Sequence, residues 1–380
     1  MPLVSRAWMQ AQSLQDAGYD VTAICPKGKG LDKPEEQLDG IRILRYDLVE
    51  AASMLGYVRE YVQALNGERK YLRKVAREAP LDVIQLCNPP DVLFLVALWH
   101  KLRYGTRIVF DQLDLCPEMF EAKFGRRGLF HWMLLIAERL TFATADAVMS
   151  TNESCRRIAI ERGKVDPDAV FVVISRPDLS QFVPIPCATD FRNGRHHLVG
   201  YLGIMGEQDG VDLLVRAADE LISRHSRNDV QFLLIGNGPA FDSLRDLTHD
   251  LRLDDFVTFT GPLYGEPMRA ALSSCDVAVV PDPKNSYNDH CTMCKVLEYM
   301  ALGVPIVQFD LVENRVSAGD AAAYATDNSP ESLAATIANV LDSDPDGIQE
   351  MRRLGRERVG GLDWQTQVPQ LLAAYAYALK

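Results

Sequence analysis

The sequence predicts an α/β protein built from two doubly wound parallel-sheet units, and three observations carry that prediction. Short apolar runs ending in Pro, Gly or Asn alternate with helical stretches from residue 20 to residue 174. The alternation breaks over residues 179–197, where Pro184, Pro186, Asn193 and Gly194 read as a linker. It then resumes at Leu198 and continues past residue 300. At 380 residues the chain is longer than one compact core usually serves, so two domains are the default.

In the first half, Asp20-Val-Thr-Ala-Ile-Cys-Pro26 reads as a strand stopped by Pro and Gly, and Asp39-Gly-Ile-Arg-Ile-Leu-Arg45 alternates apolar and polar. Val83-Ile-Gln-Leu-Cys87 ends in Asn88-Pro-Pro90, and Arg107-Ile-Val-Phe-Asp111 runs into Leu115-Cys-Pro-Glu118. Ala147-Val-Met-Ser-Thr151 and Val170-Phe-Val-Val-Ile174 complete the strands. Helices fit between them over residues 8–17, 57–78 and 129–143. The second half opens with Leu198-Val-Gly-Tyr-Leu-Gly203 and continues through Gln231-Phe-Leu-Leu-Ile-Gly236 and Val257-Thr-Phe-Thr-Gly261. The expected division is 1–185, 186–361 and a last helix within 362–380.

Composition bounds the function. Hydrophobic residues make up 47% and charged residues 24%, the balance of a globular enzyme. A net charge of −12 argues against nucleic acid as a general partner. One basic segment, Lys123, Arg126 and Arg127, adjoins the apolar run Leu129-Phe-His-Trp-Met-Leu-Leu-Ile136. Such a pairing can hold an anionic lipid surface; the plainer expectation is a buried helix beside a solvated basic loop. No segment reaches the ~18 uncharged apolar residues of a membrane span. Eight cysteines without a disulfide-like framework suit a reducing compartment. Cys291-Thr-Met-Cys294 lacks the second pair a structural zinc site needs, so no metal is expected. The expected location is cytoplasmic, with peripheral contact at the inner membrane face as a further partner class.

Chemistry concentrates in residues 276–319. Asp276-Val-Ala-Val-Val-Pro281 is a buried-type strand, followed by a polar loop with Asp282, Asn285, Asn288, Asp289 and His290. Lys295 to Ala301 has helical spacing, Gly303-Val-Pro305 stops that helix, and Ile306-Val307 starts the next strand. In a parallel sheet, ligands sit at the carboxyl ends of strands beside helix N-termini, where unpaired N–H groups favour anions. Earlier, a Gly-rich turn at Gly203, Gly206 and Gly210 follows a strand and precedes a helix, the arrangement in which backbone N–H groups can approach phosphate. Gly236-Asn237-Gly238-Pro239 ends the next strand in the same manner.

The thirteen residues Lys295-Val-Leu-Glu298-Tyr-Met-Ala301-Leu-Gly303-Val-Pro305-Ile-Val, followed by Glu313 and Arg315-Val-Ser-Ala-Gly319, resemble the donor-binding signature of glycosyltransferase family 4, whose members have the GT-B fold. Other segments extend the resemblance over nearly the whole chain: residues 17–26, Cys87-Asn-Pro-Pro-Asp91, residues 111–118, Thr151-Asn-Glu-Ser154, residues 201–212 and residues 235–239. The resemblance implies two Rossmann-like domains facing each other across a cleft, with an acceptor-side N-terminal domain, a nucleotide-sugar-binding C-terminal domain and a terminal helix that returns to the first. It gives Glu298 the ribose hydroxyls and the backbone of Thr292 and Met293 the diphosphate, with Lys295 in support. Gly203, Gly206, Gly210, Gly236 and Asn237 would line the donor site, and Tyr264 would lie where such proteins grip the base. Asn88, Asn152 and Arg176 fall on the acceptor side, and Asp111 and Asp114 are its acidic candidates, although both residues also suit loop hydrogen bonding.

The sequence departs from the family at several points. The Arg and Lys that many members carry on the Gly-rich turn align with Ile204 and Asp209. The family's first Glu falls on His290, which would then face the donor sugar. The segment Asp111-Gln112-Leu113-Asp114 lacks the usual His near the reacting sugar. The chain opens at Met1-Pro-Leu-Val-Ser-Arg6-Ala-Trp8, where homologues place a first strand and loop further upstream, so the natural protein is expected to start before Met1, leaving Trp8 and Leu14 partly exposed here.

The function implied is a retaining transfer of a hexose or N-acetylhexosamine from a nucleoside-diphosphate sugar, UDP-linked as in most such enzymes, to an acceptor hydroxyl. Cell-envelope glycans, lipid-linked acceptors and small metabolites all fit, and no cofactor is needed beyond the donor. Two alternatives stay open: a non-catalytic GT-B subunit that activates a transferase, and a sugar-nucleotide 2-epimerase.

Overall fold

A computed structural model describes residues 5–28, 31–49, 54–175 and 182–380. The chain divides into two compact units. The first comprises Met1–Glu121, Gly125–Ser175 and Gln365–Lys380; the second comprises Arg176–Trp364 with the short piece Ala122–Phe124.

The first unit runs α1 (Ser5–Asp16), β1 (Thr22–Pro26), β2 (Glu35–Leu38), β3 (Ile41–Tyr46), α2 (Met54–Glu78), β4 (Val83–Cys87) and α3 (Phe94–Tyr104). It continues with β5 (Arg107–Gln112), α4 (Cys116–Phe124), α5 (Leu129–Thr144), β6 (Ala147–Ser150), α6 (Glu153–Glu161) and β7 (Val170–Val172). The second unit holds β8 (His197–Ile204), α7 (Val211–Asp219), β9 (Val230–Asn237), α8 (Phe241–Asp250), β10 (Val257–Gly261), α9 (Gly265–Ser273) and β11 (Val277–Val280). Then come α10 (Cys294–Leu302), β12 (Ile306–Phe309), α11 (Val312–Ala318), β13 (Ala322–Ala325), α12 (Pro330–Leu341) and α13 (Pro345–Gly360). The last helix, α14 (Val368–Ala378), belongs to the first unit.

The second unit is one six-stranded parallel sheet in the order β10-β9-β8-β11-β12-β13. Its strands read as apolar runs because both faces are covered. Val199, Phe232, Val277 and Val307 point into one core cluster, and Leu198, Leu233, Ala278 and Ile306 into the other. The register pairs Gly203 with Gly236 and Ile204 with Asn237, so β8 and β9 end together at the same edge.

The first unit differs from the single doubly wound sheet expected. Among the described residues it contains two sheets: a parallel β4-β5-β6-β7 and a three-stranded β1-β3-β2 in which β2 is antiparallel to β3. Strand β2 reads Glu-Glu-Gln-Leu and has no apolar alternation to announce it; pairing with β3 imposes its conformation. Helix α1 packs near both sheets. Ala11 joins Ile41 and Ile43 of β3, with half-buried Trp8 against them. Leu14, expected to be partly exposed, is 4% exposed.

From the same helix, Arg6 reaches the carboxyl end of β5. Its Nη2 and Nε donate to the Asp111 carboxylate at 2.6 and 3.1 Å, and its Nη1 donates to the Val173 carbonyl at 2.6 Å. Gln10 donates to Asp111 at 2.9 Å and accepts from Gln85 of β4 at 2.9 Å. Tyr375 of α14 closes the chain of bonds by donating to Gln85 at 2.6 Å. Arg6 and Asp111 are 5% and 1% exposed, so truncating one leaves the other charged and buried. Arg6→Ala is expected to lower stability by about 3–5 kcal/mol, read as a shift of the urea midpoint at constant slope. A loss below about 1 kcal/mol would show that the pair does not anchor α1.

Candidate functional site

In the second unit the sequence-predicted donor residues follow the carboxyl ends of β8, β9, β10 and β11. Close backbone approaches make this possible, and glycines permit them. A Cβ on Gly236 would lie 1.9 Å from the Gly203 carbonyl oxygen, with a backbone φ of +139° that other residues rarely adopt. A Cβ on Gly210 would lie 2.0 Å from the Pro281 carbonyl oxygen. The β8–α7 turn therefore rests directly on the end of β9 and on the loop after β11.

Lys295 lies in the first turn of α10, beneath this turn. A Cβ on Gly203 would stand 3.6 Å from its ammonium nitrogen. The ammonium donates to Asp282 at 2.8 Å and lies 5.0 Å from the centre of the Tyr201 ring. Burial opposes its charge, but Asp282, Tyr201, Tyr299 and Asp209 outweigh that and hold its pKa above the ordinary value. Lys295 is thus charged and paired with Asp282. Asp209 accepts from the Gly206 N–H at 2.8 Å. Burial pushes its carboxyl up to about 6, with Lys295 opposing the shift. Tyr201 and Tyr299 brace the turn from below: Tyr201 donates to the Ile204 carbonyl at 2.7 Å, and the Leu202 N–H donates to Tyr299 at 2.8 Å.

Glu298 is one turn further along α10 and only partly exposed. Burial pushes its carboxyl up to about 7, with Lys295 pulling the other way. Among the described residues no group donates a hydrogen bond to it. A desolvated carboxylate without donors is costly, and two ligand hydroxyls would relieve that cost.

Thr292 and Met293 are half-buried just ahead of α10, and Met293 caps it. His290 is half-buried and its Nδ1 meets the Ser286 carbonyl at 2.8 Å. Asn237 accepts from the Gly238 N–H at 2.8 Å, so it shapes its own turn. Tyr264 precedes α9 with 62% of its surface exposed. No group of three or more His, Cys, Asp or Glu among the described residues is placed to hold a metal.

In the first unit, Asn88 is a buried hub. Its side-chain amide donates to Asp91 at 2.9 Å and to the Asp114 carbonyl at 2.7 Å, and its oxygen accepts from the Leu113 N–H at 2.7 Å. That brings Asn88, Leu113 and Asp114 together. Asp111 lies apart, buried against Arg6, and is not presented as an exposed acid. Asn152 is buried and caps α6 by accepting from the Cys155 N–H at 2.7 Å. Arg176 lies outside the described residues. Sequence reading missed Asp282 as the partner of Lys295 and the two tyrosines beneath the turn. The i, i+2 placement of Tyr201 and Gly203 at a strand end was the available signal.

Two family models match this chain. Residues 3–174 match a glycosyl transferase 4-like domain, and residues 196–343 match glycosyl transferases group 1. Together they take in most of the sequence, and the chain belongs to this family of glycosyltransferases. Similar curated proteins include the D-inositol 3-phosphate glycosyltransferases of Kineococcus radiotolerans, 29% identical over 268 residues, and Gordonia bronchialis, 26% identical over 259 residues. Each match covers 65% of this chain, but only 60% and 55% of the respective relative's length. Among solved structures, sucrose-phosphate synthase from Thermosynechococcus elongatus superposes with a TM-score of 0.77 at 19% identity, covering 97% of this chain and 91% of that one. Anabaena Alr3699/HepE, solved in complex with UDP-glucose, gives 0.65 at 15% identity, covering 88% and 86%. These likenesses show the fold, which is GT-B.

Gly236→Ala is expected to lower stability by about 2–4 kcal/mol, since the added methyl meets backbone that cannot yield. Gly194→Ala, also at positive φ but with open space around the site, should cost about 1 kcal/mol. Thermal or urea melts of the two variants check the contrast.

Proposed function

We propose that the protein is a retaining glycosyltransferase that moves a hexose or N-acetylhexosamine from a nucleoside-diphosphate sugar, UDP-linked, to an acceptor hydroxyl. The observation that carries this reading is Glu298: a half-buried carboxylate, pushed up to about 7 and without a donor among the described residues, one helical turn beyond the Lys295 that lies under the glycine turn. A ribose diol donates two hydroxyl hydrogens and supplies what this group lacks. The UDP and UDP-glucose complexes of Anabaena Alr3699/HepE support the choice of donor. The relatives named D-inositol 3-phosphate glycosyltransferase support a hydroxylated acceptor.

In the reaction, charge develops on the departing diphosphate. The amides at the start of α10 and along the Gly203–Gly210 turn, with the Lys295 ammonium beneath them, would stabilise that charge. Because Asp282 already holds Lys295, its contribution is electrostatic positioning of the turn, and the direct contacts to phosphate fall to backbone N–H groups. In a same-face transfer the leaving phosphate takes the acceptor's proton, so no protein nucleophile is assigned. Cell-envelope glycans and glycosylated metabolites both suit such an acceptor.

Calorimetry with UDP tests the role of Glu298. Glu298→Ala is expected to lose about 2–4 kcal/mol of affinity while keeping the wild-type melting curve. Ligand hydroxyls favour the ionised form of a group whose free pKa is about 7, so binding should release a proton and tighten as pH rises from roughly 6 to 8. Glu298→Gln should reduce that dependence to the part set by the terminal phosphate of UDP, which itself titrates at about pH 6. Incubation with UDP-sugars should release UDP slowly. Isomerised UDP-sugar would mean an epimerase, and absence of both binding and turnover would mean a partner subunit.

A further inference from the structure

Helix α5 contradicts the expectation of a buried helix. Its inner face is buried through His131, Leu134, Glu138, Thr141 and Phe142. Its outer face exposes Leu129 (79%), Trp132 (63%), Met133 (54%), Ile136 (59%) and Leu140 (45%). These fall at i, i+3, i+4, i+7 and i+11, within an arc of about 100°. Helix α3, in contact with α5, also exposes apolar side chains: Leu95, Trp99 and Leu102, by 53%, 46% and 79%. Large apolar side chains exposed on two helices in contact mark a surface that something covers.

The charges around the array select the occupant. The protein carries −12 overall, yet residues 94–104 contain no acid, and residues 125–144 contain only Glu138, which is 3% exposed. The exposed charges here are Arg103, Arg126, Arg127 and Arg139; Arg127 pairs at the surface with Glu121. Arg73 of α2 lies over the Trp99 ring, 6.0 Å from its centre. A local cationic rim on an anionic protein would be repelled by bulk cations and by a second basic face, and it complements an anionic surface. Tryptophans beside arginines are also the side chains that favour the boundary between headgroups and acyl chains.

We propose that α3 and α5 form a docking surface for an anionic lipid bilayer, with the α5 stripe seated among the headgroups and Arg126, Arg127 and Arg139 on lipid phosphates. It goes beyond the transfer reaction and does not depend on it. No helix among the described residues is long and apolar enough to cross a membrane, so the contact is interfacial.

The test uses the full chain with phosphatidylcholine vesicles, with and without about 30% phosphatidylglycerol. Expected is co-sedimentation with the anionic vesicles only, weakening as salt rises. Each basic residue near the surface is worth about fivefold in binding, so Arg126→Glu with Arg127→Glu should cost at least tenfold. Trp132→Glu with Ile136→Glu should do the same, and because both positions are exposed the variant should keep the wild-type melting curve. As a check needing no variant, two of the four tryptophans, Trp99 and Trp132, lie on the surface, whereas Trp364 is 4% exposed. Their emission should shift to shorter wavelength with anionic vesicles and be quenched by brominated lipids. Equal sedimentation with both vesicle types, or no spectral change, overturns the proposal. So does a dimer in light scattering that Trp132→Glu with Ile136→Glu dissociates while wild type ignores vesicles, which would mean that a second copy covers the stripe.

Discussion

The buried pair of Arg6 and Asp111 is the interaction on which the first unit depends. A charged pair out of water survives only when its geometry is good and its remaining hydrogen-bonding groups are satisfied. Here Arg6 meets Asp111 through two nitrogens and spends a third bond on the Val173 carbonyl, while Gln10 fills the other side of the carboxylate. The consequence is positional. Helix α1, whose apolar residues face β3, is pinned at its other edge to β5 and to the chain just beyond β7. One pair thereby fixes a helix against two sheets that share no ladder among the described residues. Where Asp111 was read as an acceptor-side acid, the structure assigns it this anchoring contact.

The second unit is organised by a different constraint, the exclusion of side-chain volume where strand ends meet. Gly203, Gly210 and Gly236 let three loops touch backbone to backbone, and Lys295 fills the space under them. The turn is therefore closely packed against its neighbours, with no room for a side chain at Gly210 or Gly236. Electrostatics follows the same economy. Asp282 holds the Lys295 ammonium and Asp209 adds its field from nearby, so the only buried cation under the turn among the described residues is already balanced by carboxylates.

How far the sequence revealed this depends on how local the determinant is. The strand, loop, helix and strand over residues 276–307 were legible because apolar runs, Gly303 and Pro305 are punctuation that works within a few residues. Strand β4 was legible end to end for the same reason. Pairings across long separations were not: nothing near Arg6 points to Asp111, 105 residues away. Strand β2 was missed because its polar residues take their conformation from β3. Helix α5 misled because residues apolar on all sides show no period, and burial of one face cannot then be told from burial of both. Lys295 lies under the turn, but its partner Asp282 sits in an irregular loop, where spacing says nothing about which side chains meet.

The contact between Tyr375 and Gln85 has a consequence for how the chain is made. Helix α14 packs on β5, β6 and β7, elements finished by residue 172, yet it is encoded after the whole second unit. On a ribosome adding roughly 5–20 residues per second, β7 waits on the order of ten seconds or more for the helix that covers its unit. During that interval Gln85 and the apolar strands β5 and β6 lack their final neighbour, while the six strands of the second unit follow one another within residues 197–325 and can form their sheet without it. The order of synthesis thus favours completion of the second unit before the first.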